Sequence, residues 1–220
     1  MSESPFEVND DLLSTAYMNA SLLAQKVPRR FEQLTYYSDT GEHLPADLYQ
    51  ERFGSVEALE KEIFHTFFVY TQRMLSLESD SSPQEDPANY LLSFYYTLFE
   101  VFAANREYIA LRFSTPLTHI KSLFCLDRFK ADFTDFLQSI NQYDPLLPLP
   151  LLKQAQAKTF GEAGWLQFLS VFEFWLKDES PDFERTDALI EKSLMLGLDV
   201  LQLQHAERHI ADWAKFWLQK

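Results

Sequence analysis

The chain has 220 residues and 46% apolar content, enough to bury a large core, which excludes an intrinsically disordered polymer. A net charge of −14 opposes non-specific attraction to nucleic acid or an anionic membrane, so any DNA contact has to come from a local patch. The single cysteine, Cys125, excludes an intrachain disulfide and a four-cysteine zinc site; with no signal-like amino terminus and no apolar run near the ~20 residues that span a bilayer, the expectation is a cytoplasmic protein without membrane contact.

Five glycines, ten prolines placed mostly at segment edges, and apolar residues recurring at three- and four-residue steps predict an all-α fold. A first helix is expected from Asn9 or Asp10, through Leu12, Leu13, Ala16, Leu22 and Leu23, to the break at Pro28. A short second helix is expected over Arg29–Tyr37, then a polar turn at residues 38–43, then a third short helix over Pro45–Arg52. Phe53-Gly54-Ser55 introduces a long helix that Ser55 caps, with Leu59, Ile63, Phe67, Tyr70 and Met74 along one side. After a polar connector at residues 79–86, Asp86-Pro87 restarts helix through Phe94, Tyr95, Phe99 and Phe102, breaking near Asn105. Thr115-Pro116 repeats that start for a helix carrying Ile120, Leu123, Phe124, Phe129, Phe133, Phe136 and Ile140. Residues 144–150 read as a rigid apolar corner, with Gly161 and Gly164 flanking the beginning of the next helix.

The segment from Phe174 to Leu194 is the most informative. One helix carries Trp165, Phe168, Leu169, Phe172 and Trp175 at helical spacing, ends near Asp178, and a second begins at Ser180-Pro181 with a narrower seam of Leu189, Ser193, Leu196 and Val200. Outward seams on two adjacent helices predict a homodimer. Residues 201–218 are expected to continue as an amphipathic extension holding His205 and His209.

Three short helices, a long connecting helix and an all-helical body ending in a two-helix seam resemble the tetracycline-repressor (TetR) family of transcriptional regulators. The closest local matches are Phe53-Gly-Ser-Val-Glu-Ala-Leu-Glu60 and Phe174–Leu194. The resemblance implies a helix-turn-helix module over residues 1–54, a ligand-binding and dimerising domain over residues 55–220, no cofactor and no enzymatic activity. It further implies operator DNA as a partner, a second copy of the chain, and a small apolar or aromatic effector.

The recognition helix implied by that resemblance, Pro45–Arg52, is acidic. Residues 1–53 hold four basic residues against nine acidic ones, a net −5. Lys26, Arg29 and Arg30 form the best remaining phosphate-contacting cluster, with Tyr49, Gln50 and Arg52 as the other DNA-facing candidates. A degenerate module that no longer binds an operator is the alternative. In the body, Phe67, Phe68, Phe94, Tyr95, Phe99, Phe102, Phe113, Phe124 and Phe133 are the candidate walls of an effector pocket, with His65, Tyr96, Arg112 and His119 as polar groups. The same rings at helical spacing are equally the signature of a plain core.

Catalytic patterns find no support. Glu62-Ile-Phe-His65 has one Glu-x-x-His step where a di-iron bundle needs two, and His205 and His209 lack a correctly spaced glutamate. Cys125 sits between Phe124 and Leu126 without an activating neighbour, and there is no glycine-rich phosphate loop or Gly-x-Ser-x-Gly elbow.

Overall fold

The computed structural model describes residues 9–78, 86–114, 123–140 and 150–196. The expected all-α fold is present, with one small hairpin in the amino-terminal head. Helix α1 (Asp10–Leu23) starts where Asn9 Oδ1 accepts the Leu12 N–H at 2.8 Å, and Asp10 and Asp11 occupy the first turn, where the helix dipole favours negative charge.

Residues 29–37 do not form the expected second helix. Only Phe31–Gln33 closes, as one 3-10 turn, and the Gln33 side chain accepts the backbone N–H groups of Arg29 (2.5 Å) and Arg30 (3.2 Å). The chain then extends into β1 (Tyr36–Tyr37), which pairs antiparallel with β2 (His43–Leu44), Tyr36 opposite Leu44. Thr35-Tyr36-Tyr37 is a β-branched and aromatic run, and it wins over helical periodicity because a turn closed by Ser38 and Gly41 follows directly. Gly41 turns the tip at φ 82°, a conformation unfavourable for a side chain.

Helix α2 (Ala46–Phe53) ends at Gly54, whose φ of 72° makes the sharp step into α3 (Val56–Glu78), and Ser55 Oγ accepts the Ala58 N–H at 3.2 Å as expected. Helix α4 (Pro87–Ala104) begins on an Asp86 cap, and after Asn105 the chain continues as α5 (Arg106–Arg112). A 3-10 turn, Phe124–Leu126, runs into α6 (Asp127–Ile140). Thr115, Pro116, His119 and Ile120 lie outside the described residues, as do the corner at 141–149 and everything from residue 197 on, Val200, His205 and His209 included. Helix α7 (Pro150–Lys177) is longer than expected and runs through Gly161 and Gly164. Gly164 serves close approach: a Cβ there would collide with Leu137 Cδ1 of α6.

The chain forms two compact units, Met1–Leu77 with Thr97–Phe136, and Glu78–Tyr96 with Leu137–Lys220. In the second, α7 gives way to a 3-10 turn (Pro181–Phe183) and then α8, residues 184–196. The turn is set by Asp178. One carboxylate oxygen accepts from Ser180 N (2.9 Å) and Ser180 Oγ (2.7 Å), the other from Thr186 N (2.9 Å) and Thr186 Oγ1 (2.6 Å). Asp178 rather than Ser180 is therefore the main anchor of the junction, although Ser180 Oγ also accepts the Arg185 N–H at 3.3 Å.

Burial works to raise the Asp178 carboxyl, but the bonds from Thr186 and Ser180 outweigh it and hold the group at about 2, below its ordinary 3.8. The stabilisation is thus present above the ordinary value and lost as pH falls from about 4 towards 2. Asp178→Ala should cost roughly 1–3 kcal/mol in urea unfolding at pH 7, with Asp178→Asn losing less because it keeps one acceptor. An Asp178→Ala midpoint equal to that of the parent would remove Asp178 as the anchor.

Candidate functional site

The head is organised by tyrosines. Tyr49 is fully buried; its hydroxyl donates to Leu13 O at 3.1 Å, and its ring lies 4.1 Å from Tyr36 and 5.5 Å from Phe31. This corrects its place among the DNA-facing residues: Tyr49 ties α2 to α1. Of the other candidates, Lys26, Arg29, Arg30 and Gln50 are exposed, and the Gln50 side chain donates to Gly54 O at 2.7 Å. Arg52 is exposed but engaged, its guanidinium bound to both Asp10 carboxylate oxygens across to the start of α1, and this bonding raises its already high pKa. The outer face of α2 therefore offers Asp47, Gln50 and Glu51 beside a cation that already holds an anion.

Beneath the head lies a buried charge cluster that periodicity did not single out. Arg112, at the end of α5, places Nε 2.9 Å from Glu60 Oε2 of α3, the two side chains being 15% and 5% exposed. Tyr17 of α1 is fully buried and donates its hydroxyl to Glu60 Oε1 at 3.1 Å. Tyr17 also stacks on Tyr36 and meets Tyr108 edge-on. The Tyr36 hydroxyl is buried without a hydrogen-bond partner. Burial pushes the Glu60 carboxyl up, while the Arg112 charge and the Arg112 and Tyr17 hydrogen bonds pull it back. Burial also pushes the Cys125 thiol up to about 12, so Cys125 is a packed apolar group and a poor nucleophile. The signal for this cluster was Glu60 itself, a charge interrupting the apolar stripe of Val56, Leu59, Ile63, Phe64 and Phe67.

The candidate pocket rings divide between the units. Phe67, Phe68, Phe99, Phe102, Phe113 and Phe133 are buried in the first, where Phe67 meets Phe102 at 6.0 Å and Phe102 meets Phe129 at 6.2 Å. Phe94 and Tyr95 are buried in the second. Phe124 is 48% exposed, which removes it from the buried set, because the 3-10 turn at Phe124–Leu126 points Cys125 and Leu126 inward instead. Three of the polar candidates are already partnered: His65 Nδ1 with Asp132 at 2.6 Å, Tyr96 with Glu191 at 2.7 Å, and Arg112 with Glu60. Glu62 is bound by Arg128, so neither member of the Glu-x-x-His step is unpartnered.

The carboxy-terminal pair corrects the expected dimer face. Trp165, Phe168, Phe172 and Trp175 are buried within their own subunit and stack in sequence along α7, so they form its core and not an outward seam. Leu169, Leu189 and Ser193 are half-buried; Tyr95 donates to Gln167, which donates to Ser193 Oγ at 2.8 Å and joins α4, α7 and α8. Among the described residues of α7 and α8, the large apolar side chains left in solvent are Leu166 (63% exposed), Met195 (62%) and Leu196 (65%). An aromatic stripe at helical spacing has the same sequence pattern whether it faces a partner or the subunit's own core. Phe172→Ala should therefore unfold the subunit, losing about 3–5 kcal/mol, while a glutamate at Leu196 should leave the far-UV spectrum intact. Denaturation with circular dichroism on both variants checks this, and a Leu196→Glu chain that unfolds while Phe172→Ala does not would reverse the placement.

Among the described residues no helix is long and apolar enough to cross a membrane. No curated protein and no solved structure matches the chain. The family model of the tetracyclin repressor-like C-terminal domain matches residues 90–217, which takes in α4 to α8 with the Asp178 junction. With that match over more than half its length, on an all-helical body preceded by a long connecting helix, the chain belongs to the tetracycline repressor-like family of regulators.

Proposed function

We propose that the protein is a dimeric TetR-type regulator that responds to a small apolar or aromatic molecule and acts without reading operator DNA through α2. The observation that carries this reading is the composition of the outer face of α2: Asp47 and Glu51 repel phosphate, and Arg52 is held by Asp10. Phosphate contacts supply most of the salt-dependent affinity of a DNA-binding module, and an acidic face forfeits them. Tyr49, turned into the core, leaves Gln50 as the remaining base-reading side chain on that helix. Dimerisation is supported by Leu166, Met195 and Leu196, exposed on the two carboxy-terminal helices; effector binding is supported by the aromatic interior, whose flat rings match a flat apolar ligand. Residues 1–54 then serve as a head presented in two copies, and residues 55–220 as the ligand-binding and dimerising body.

A second reading is favoured by one observation: Lys26, Arg29 and Arg30 form an exposed cationic group whose local backbone is fixed by Gln33. On that reading the head holds DNA by these three residues alone.

Titrating the purified protein with its own upstream DNA at about 150 mM salt separates the two. The first reading predicts affinity no better than the roughly 10⁻⁴–10⁻⁶ M of non-specific binding. Tighter, salt-dependent binding whose log–log slope falls by about 0.9 for each of Lys26, Arg29 and Arg30 replaced by Ala would establish the second. The dimer has its own measurement, sedimentation of Leu196→Glu, which should be monomeric where the parent is a dimer; an unchanged dimer moves the interface elsewhere.

A further inference from the structure

The inward face of α1 is made of Leu13, Ser14, Ala16, Tyr17, Ala20 and Ser21. Four of these six are small, so the face has few protrusions to interlock with a neighbour, and apolar packing alone gives it a weak choice of register. Its one long side chain, Tyr17, ends on Glu60, and Glu60 is held in turn by Arg112. One hydroxyl and one ion pair therefore link three elements of the same unit, α1, α3 and α5, at a single point.

A buried ion pair is weak as a source of stability, because taking both charges out of water costs about what their attraction returns. It is strong as a discriminator: displaced positions leave a charge buried without its partner. The Tyr36 hydroxyl, on the ring stacked against Tyr17, has no hydrogen-bond partner, and Arg112 Nε stands 2.9 Å from Glu60 Oε2 without a well-aligned hydrogen bond, so charge carries much of the contact.

We propose that the Tyr17–Glu60–Arg112 contact is a locating device for the head: it selects one docked position of α1 on α3 and α5 and keeps α1 from sliding along them. The device does not depend on what the head binds. It holds equally for a head that grips DNA and for one that grips another partner, so its test is separate from the DNA and dimer measurements above. Glu60, Arg112 and Tyr17 are positioning residues in this account.

The test is a spin-label distance measurement on the full chain, with exposed Asn19→Cys on α1 and exposed Asp135→Cys on α6, the buried native Cys125 being left in place. The parent should give one narrow distance. The apolar pair replacement Glu60→Leu with Arg112→Met should remain helical by circular dichroism and give a distribution at least twice as wide. Tyr17→Phe, which keeps the ring and removes only the hydroxyl, should give an intermediate width. Equal widths in all three proteins would overturn the proposal. So would a double replacement that unfolds, since that makes the pair a source of stability and not of position.

Discussion

A charged carboxylate out of water is costly unless hydrogen bonds or a cation meet it, and Glu60 is met by Arg112 and the Tyr17 hydroxyl. The arrangement of the first unit follows from this single requirement. Glu60 lies about one turn inside α3, and Arg112 reaches it from the end of α5, which begins after the break at Asn105. The remaining acceptor of Glu60 takes the Tyr17 hydroxyl and so brings in α1, and α1 in turn carries the hairpin and α2 through Tyr36 and Tyr49. The head is therefore attached by polar chemistry and filled by aromatic rings.

The second unit uses a related economy at a different place. Its aromatic spine, Trp165, Phe168, Phe172 and Trp175, is internal and settles how α7 is buried. What directs α8 away from α7 is one carboxylate with four hydrogen bonds, at Asp178. Because α7 and α8 also carry the exposed Leu166, Met195 and Leu196, the turn set by Asp178 fixes how these side chains stand relative to one another. The two units thus share a design in which apolar area drives burial and one anionic side chain chooses the geometry.

The helical fold was legible because long stretches keep a 3.6-residue period and because capping residues mark their ends: Asn9, Ser55, Asp86 and the break at Asn105 all stand where the sequence places them. The hairpin was not. Residues 29–37 have helical apolar spacing, and only the local contest between Thr35-Tyr36-Tyr37 and the Ser38–Gly41 turn decides for strands. Sites were less legible than elements. Tyr49 reads as a surface residue of a recognition helix, yet its ring packs inward on Phe31 and Tyr36 and its hydroxyl finds Leu13 O. The α7 stripe is visible in sequence, but which body covers it is a tertiary matter. Glu60 was visible as a charge within an apolar stripe; its partner, fifty-two residues away, was not.

Glu60 and Arg112 act as one unit, and a double-mutant cycle in urea unfolding tests this most directly. Glu60→Leu alone and Arg112→Met alone should each cost about 3–5 kcal/mol, because each leaves a buried group uncompensated, while the double replacement should return to within ~1 kcal/mol of the parent. Additive losses would contradict the account, for they would mean that the two side chains contribute independently and that no ion pair organises the head.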